Sequence, residues 1–119
     1  MSDRGSVSIV AVGVLVIVMV LTMGAADVAS ALIARERAQQ AADAAALAAA
    51  QQQLLPAGGT PAEVAAVYAG RNGAALSACT CPVGATEAVV TVTVPLSHLL
   101  LLPGQHTVIA RARAVVDPP

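Results

Sequence analysis

Aromatic and positively charged side chains are scarce in this 119-residue chain. It contains no Trp, Phe or Lys, Tyr68 is its one aromatic residue, and only 11% of its residues are charged. Proteins that bind nucleic acids neutralise phosphates with Lys and Arg and often stack bases on aromatic rings. The composition therefore predicts a protein with no nucleic-acid partner.

Residues that carry catalysis or bind metals are equally few. The two histidines, His98 and His106, do not have the spacing that would complete a zinc site with the cysteines. The sequence also shows no glycine-rich phosphate loop after a predicted strand and no recognisable pair of nucleophile and base. We therefore expect no enzymatic activity, no cofactor and no metal site.

The cysteines are limited to Cys79 and Cys81, separated by one residue. On a strand their side chains would point to the same face, where a disulfide between them would be strained. Two interpretations are open. The thiols are a structural or merely tolerated pair, or they form a disulfide in an exported domain.

A long uncharged stretch dominates the rest of the sequence. Residues 5–26 contain no charged side chain and lie between Arg4 and Asp27. As a helix they would measure about 33 Å, at about 1.5 Å of rise per residue, which is enough to cross the hydrocarbon core of a bilayer. The sequence predicts a leader at residues 1–5 and a transmembrane segment at residues 6–26, with the membrane as a partner.

Secretion is the alternative. Ala29, Ser30 and Ala31 form a small-residue site at which signal cleavage would release a soluble protein beginning at Leu32. The apolar run is, however, longer than the roughly 7–15 residues usual in a signal peptide. Membrane anchoring is therefore the leading hypothesis.

The helical pattern continues beyond the apolar run. Neither Gly nor Pro occurs in residues 27–55, so residues 5–55 predict one helix whose second part lies outside the membrane. On a helical wheel, one face carries Glu36, Gln40, Asp43 and Gln51. The opposite face is a smooth alanine face, on which we expect another helix or a small sheet to pack: Ala34, Ala38, Ala41, Ala45 and Ala48. The alternative is a helix stabilised by alanine propensity alone.

Residues 56–119 predict a small α/β domain. Thr60 and Glu63 have the spacing of a capping box, with Pro61 at the first position of a short second helix. We expect this helix to end near Gly70 or the Asn72-Gly73 pair. Its expected buried side consists of Val64, Val67 and Tyr68.

A period of two then predicts three strands, at residues 75–81, 87–94 and 106–116. Val90, Val92 and Val94 share one face of the second strand. Three strands after two helices predict the α+β class, with an antiparallel sheet whose apolar face needs a helix to cover it.

Between the last two strands, residues 96–102 hold five leucines and are flanked by Pro95 and Pro103. This leucine segment is too short to span a membrane. It either folds under the sheet or forms an exposed apolar patch for a partner or the bilayer surface.

Three features together resemble the TadE/TadG-like proteins. They are the short leader ending in Arg4-Gly5, the span continuing into residues 37–50 (RAQQAADAAALAAA), and the small strand-rich end. The resemblance covers nearly the whole chain and is closest to the short variety of high-GC Gram-positive bacteria. It implies a pilin-like fold and a structural role as a minor pseudopilin or membrane-anchored accessory protein. The implied partners are pilins or the assembly proteins of tight-adherence (Flp-type) pili and related secretion machinery.

The resemblance also implies a prepilin-like route into the membrane. The leader would stay in the cytoplasm, a prepilin peptidase would cut between Gly5 and Ser6, and the C-terminal domain would lie outside the cell membrane. Val10 departs from the pattern, since pilin-like substrates usually carry Glu there. Such a carboxylate is costly in lipid and is tolerated because it pairs with the amino terminus of a neighbouring subunit. Its absence favours permanent anchoring over incorporation into a filament.

Overall fold

The computed structural model describes residues 3–96 and 98–117. The described residues form two helices followed by three strands: α1 (Asp3–Leu54), α2 (Pro61–Arg71), β1 (Ala75–Thr80), β2 (Glu87–Leu96) and β3 (His106–Val115). The molecule measures 85 × 25 × 17 Å because α1 extends far beyond the other elements. This arrangement confirms the predicted α+β fold class.

α1 is one continuous helix of 52 residues. It begins inside the predicted leader, because residues 3–5 are already helical, whereas Met1 and Ser2 lie outside the described residues. It ends at Leu54, two residues before Pro56, because the residue that precedes a proline is disfavoured in the helical conformation. The absence of Gly and Pro from residues 27–55 thus gives the uninterrupted helix that was predicted.

α2 has the predicted N-terminus. The hydroxyl of Thr60 accepts a hydrogen bond from the Glu63 amide at 3.2 Å, and the Glu63 carboxylate accepts one from the Thr60 amide at 2.7 Å. At the other end Gly73 adopts a φ of 75°, and the amide of Ala74 donates to the carbonyl of Ala69 at 3.0 Å. This is the left-handed glycine cap that the Asn72-Gly73 pair predicts.

The predicted buried side of α2 is wrong. Val67 and Tyr68 are exposed and Val64 is only partly buried, whereas Ala65 and Ala69 are fully buried. α2 packs against α1, and two helices approach closely where the side chains at the contact are small. The alanines therefore occupy the contact and the larger side chains lie beside it.

The strands form one antiparallel sheet in the order β1-β2-β3. β1 ends at Thr80, before Cys81, and β2 continues two residues beyond the predicted Val94. β2 tolerates Pro95 because its pairing with β1 reaches only to Thr93, so the missing N–H lies where β2 has a partner on one side only.

The core lies between α1 and one face of the sheet. Val90, Val92 and Val94 point into it, as predicted, beside Ala110 and Ala112 of β3. Val90 and Val92 are the largest fully buried side chains, and most of the other core residues are alanines. The core is therefore shallow, and the apolar area that stabilises it is correspondingly small.

Candidate membrane anchor and assembly surface

The apolar half of α1, residues 5–26, projects away from the sheet. Among the described residues, α1 is the one helix long and apolar enough to cross a membrane, and none of its most apolar window is buried in the molecule. A helix of such composition in the core of a soluble protein would be covered by other elements. This exposed N-terminal segment is compatible with a single-pass membrane anchor.

The predicted cleavage junction lies in the first turns of α1. Gly5 and Ser6 are both helical and exposed, and a Cβ atom placed on Gly5 would meet no other group within 4 Å. Val10 is exposed one turn further along. Cleavage between Gly5 and Ser6 stays a prediction.

The alanine face is covered by the sheet and α2 of the same chain. Its five residues are all 7% exposed or less: Ala34, Ala38, Ala41, Ala45 and Ala48. α1 makes extensive contacts with both β2 and β3 along this stretch. A partner that binds the second half of α1 therefore has to use the polar face opposite, where Gln39 donates a hydrogen bond to Asp43 at 3.0 Å.

Two glutamines fix the sheet and α2 to the C-terminal end of α1. Nε2 of Gln53 donates to the carbonyls of Pro82 and Glu87, at 2.8 and 3.1 Å. Nε2 of Gln52 donates to the carbonyls of Gly58 and Gly59, at 3.0 and 3.1 Å. Both residues are buried, so these bonds hold the turn before β2 and the connection before α2 against the helix.

Asp27 performs the corresponding task at the other end of the domain. Its two carboxylate oxygens accept hydrogen bonds from the amides of Leu100 and Leu101, at 2.6 and 2.7 Å. The side chain is only 8% exposed. Asp27, the first charged residue after the apolar half, therefore holds the connection between β2 and β3 against α1.

Beyond Leu96, which packs partly against the core at the end of β2, the leucine segment does not fold under the sheet, and there that alternative is wrong. Leu100, Leu101 and Leu102 are exposed, while Ser97 lies outside the described residues. Alanines of α1 and Leu96 already pack at the inner side of the sheet, and the later leucines lie outside it. The segment instead forms the exposed apolar patch of the second alternative.

The structure brings the sulfur atoms of Cys79 and Cys81 within bonding distance, with their Cα atoms 5.4 Å apart. Cys81 lies beyond the end of β1, so the two residues do not share a regular strand, and the same-face geometry considered from the sequence does not apply. Oxidation of the pair in the protein's own compartment stays a prediction.

The histidines do not come together with other ligands. His98 and His106 are both exposed, and residues 3–96 and 98–117 contain no group of three His, Cys, Asp or Glu side chains that would hold a metal ion. The arrangement at the sheet end thus offers surfaces for packing and anchoring.

Sequence reasoning missed Asp27, Gln52 and Gln53 as structural contacts. A solitary acid at the end of an apolar run, with no basic residue within a helical turn, is a signal that would have pointed to Asp27. The glutamines carry no such signal, because the carbonyls that they bind come from distant turns.

The chain is thus an α+β protein built on one N-terminal helix, with an apolar half that is exposed over most of its length and an alanine half covered by the folded domain. Residues 5–52 match the family described as Flp pilus-assembly TadE/G-like. The matched segment lies entirely within α1 and confirms the resemblance there, over less than half of the chain. The match supports a pilus-assembly-related role, and the description names assembly rather than a reaction. No curated protein and no solved structure matches the chain.

Proposed function

We propose that the protein is a membrane-anchored structural subunit, resembling a minor pseudopilin, of a tight-adherence (Flp-type) pilus or a related secretion system. The observation that carries the proposal is the family match over residues 5–52. It includes both the exposed apolar half of α1 and the alanine face that binds the sheet. We therefore propose that the first half of the helix anchors the protein and that the second half supports an extracytoplasmic domain.

The exposed side chains of the apolar half support the anchoring. Large apolar residues from Val7 to Leu21 are about half exposed or more, all around the helix. In water such a surface would be a large aggregation hazard, because contiguous apolar patches of this size are rare on soluble monomers. A bilayer covers the surface without any protein partner.

Release near Ala31 fits the structure poorly. Cleavage there would remove Asp27, which binds the amides of Leu100 and Leu101. It would also cut α1 in the middle, ahead of the alanine face. A soluble domain beginning at Leu32 would therefore lose the contacts that close its N-terminal end.

The partners that we propose are pilins or assembly proteins of the same machinery, with a prepilin peptidase acting at Gly5-Ser6. The alanine face is occupied, so the available surface of the extramembrane helix is its polar face with Glu36, Gln40 and Asp43. Val10 supports permanent anchoring, because no carboxylate is present there to pair with a neighbouring subunit.

Intact mass of the protein from alkali-washed membranes tests the proposal. We expect the chain to resist alkaline extraction and to have the mass either of residues 1–119 or of residues 6–119. The first mass indicates a stable anchor and the second indicates removal of the leader. Gly5→Leu is the control, since it should block removal of the leader without changing membrane recovery. A chain beginning at Leu32, or recovery wholly in the culture fluid, contradicts the proposal.

Val10→Glu distinguishes a permanent anchor from a filament subunit. Restoring the carboxylate should move a larger share of the protein from the membrane into the sheared filament fraction, because the new charge gains a partner only in an assembly. Val10→Leu should behave as the native chain. Native protein already recovered mainly with filaments would contradict permanent anchoring.

A further inference from the structure

We propose that residues 99–102, which we call the leucine loop, insert into the outer interface of the lipid bilayer as a second contact beside the span. This inference rests on the proposed membrane anchoring and adds to it. It gives the C-terminal domain a fixed height and orientation over the membrane surface, which a single helix would not provide alone.

The first support is the position of the loop. The Cδ1 atom of Leu101 lies 3.5 Å from the point where a Cβ atom on Gly24 would stand. Gly24 is two residues, or about 3 Å along the axis, inside the end of the uncharged segment. If residues 5–26 cross the bilayer, the side chain of Leu101 is at the depth of the lipid boundary.

The second support is the continuity of the apolar surface. An open groove between the loop and α1 is lined by Val20, Leu21, Gly24, Val28 and Leu101. Leu100 and Leu102, the chain neighbours of Leu101, are also exposed. The leucines thus extend the apolar surface of the helix sideways, and the environment that covers the helix also covers them.

The third support is that two backbone amides of the loop have a hydrogen-bond partner. An irregular loop is tolerated at a lipid boundary only when its N–H groups have partners. The amides of Leu100 and Leu101 donate to the two oxygens of Asp27, and Pro103 has no N–H. Asp27 is therefore a buried carboxylate that binds two of the loop's four amides at the depth where water becomes scarce.

The distribution of charge agrees with this placement. No Asp, Glu, Lys or Arg occurs from residue 88 to residue 110, which includes the whole leucine loop. The first cations after Asp27 are Arg35 and Arg37. Arg35 is eight residues, or about 12 Å, further along α1, at a height where arginine side chains favour anionic headgroups.

A lipid surface fits these observations better than a second protein chain. The patch begins on the apolar half of the helix and contains no charged rim that would select a protein partner. Amphipathic helices that lie on a bilayer bury their apolar faces roughly 5–10 Å into the region between headgroups and acyl chains. The leucine side chains are placed for such shallow insertion.

A single tryptophan reports the environment of the loop, because the native chain has none. We would place it at Leu102, which is 58% exposed, and reconstitute the full chain in phosphatidylcholine and phosphatidylglycerol vesicles with brominated acyl chains. Val12→Trp in the apolar half and Val83→Trp in the turn before β2 are the matched reporters. We expect blue-shifted, quenched emission from the Val12 and Leu102 positions and unquenched emission from the Val83 position.

The three reporters separate failure of the loop from failure of the anchor. Quenching at Val12 without quenching at Leu102 overturns the loop proposal and leaves the anchor intact. No quenching at Val12 overturns the anchor and the loop proposal together. Blue-shifted but unquenched emission at Leu102 indicates a second chain over the patch, and equal quenching at Val83 indicates an effect of tryptophan itself; either result overturns the proposal.

Removing the Asp27 carboxylate, which binds the leucine loop, gives an independent test. Asp27→Ala in the Leu102→Trp protein should abolish most of the quenching at that reporter, because the loop is no longer held against α1. Asp43→Ala, an exposed acid on the same helix, is the control and should leave the quenching unchanged. Full quenching after Asp27→Ala would overturn the positioning role of Asp27.

Discussion

The two halves of α1 place their side chains in opposite ways. The apolar half, residues 5–26, exposes Val, Ile, Leu and Met, whereas the alanine half, residues 34–50, buries only the smallest apolar side chain. Soluble proteins normally bury their large apolar residues and tolerate alanine anywhere. The inversion makes physical sense when the covering of the first half is lipid and that of the second is a closely approaching sheet. Side-chain size along one helix thus records two different surroundings.

The largest expected effect tests the covering of the apolar half. Replacing both Val14 and Ile17 by Asp should cost about 3 kcal/mol per charge at the centre of a span and sharply lower recovery in alkali-washed membranes. Leu47→Asp is the control, because Leu47 is 52% exposed and so is comparable to Val14 at 56% and Ile17 at 61%. Equal membrane recovery of both variants would contradict the inference that lipid covers the apolar half and not the alanine half.

The alanine face should respond to bulk and charge by unfolding. Ala41→Arg or Ala45→Arg places a long cation where the exposed fraction is zero, at an expected cost of about 4 kcal/mol, since an unpaired buried charge adds to overpacking. Gln40→Arg, on the exposed face, should change the free energy of unfolding by only about 0.5 kcal/mol or less. Thermal unfolding in detergent, followed by circular dichroism, measures this. Equal effects of the three would remove the case for a packing face.

The far end of the alanine half depends on one polar side chain. Gln53→Ala removes both hydrogen bonds to the carbonyls of Pro82 and Glu87 and should cost about 2 kcal/mol, because two partly buried hydrogen bonds are lost. Gln51→Ala is the control and should be nearly neutral, because Gln51 lies two residues earlier and is exposed. Urea unfolding separates the two, and a neutral Gln53→Ala would show that the turn is held by packing alone.

The cysteine pair should have the smallest effect. If Cys79 and Cys81 are bonded, the intact protein is lighter than the reduced one by two hydrogen atoms, and replacing both by Ser should cost about 1.5 kcal/mol, because the closed loop is short. Cys79→Ser alone gives the same loss when the bond exists. The heavier mass of the dithiol form, in protein recovered without reductant from the exported domain's compartment, would contradict the oxidised pair.

Elements with a strong local signal were predictable. The continuous helix, the capping box at Thr60 and Glu63, and the inward side of β2 each follow from spacing that neighbouring residues decide among themselves. The buried side of α2 was not predictable in the same way. Its valines and tyrosine exceed its alanines in hydrophobicity, but the close approach of α1 selects for size, and only the packed structure shows that distance.

The candidate anchor and assembly surface likewise has features that the sequence predicts and features that only the folded structure shows. The sequence by itself determined the uncharged span, the alanine face and the resemblance carried by the short leader, the span and residues 37–50, because composition and helical period are local properties. Tertiary structure alone decided what covers the alanine face and where the leucines lie. A sheet folded back along α1 brings Leu100 and Leu101 to Asp27, more than seventy residues earlier in the chain. Contacts of this range depend on the path of the whole chain, and no local pattern of residues encodes them.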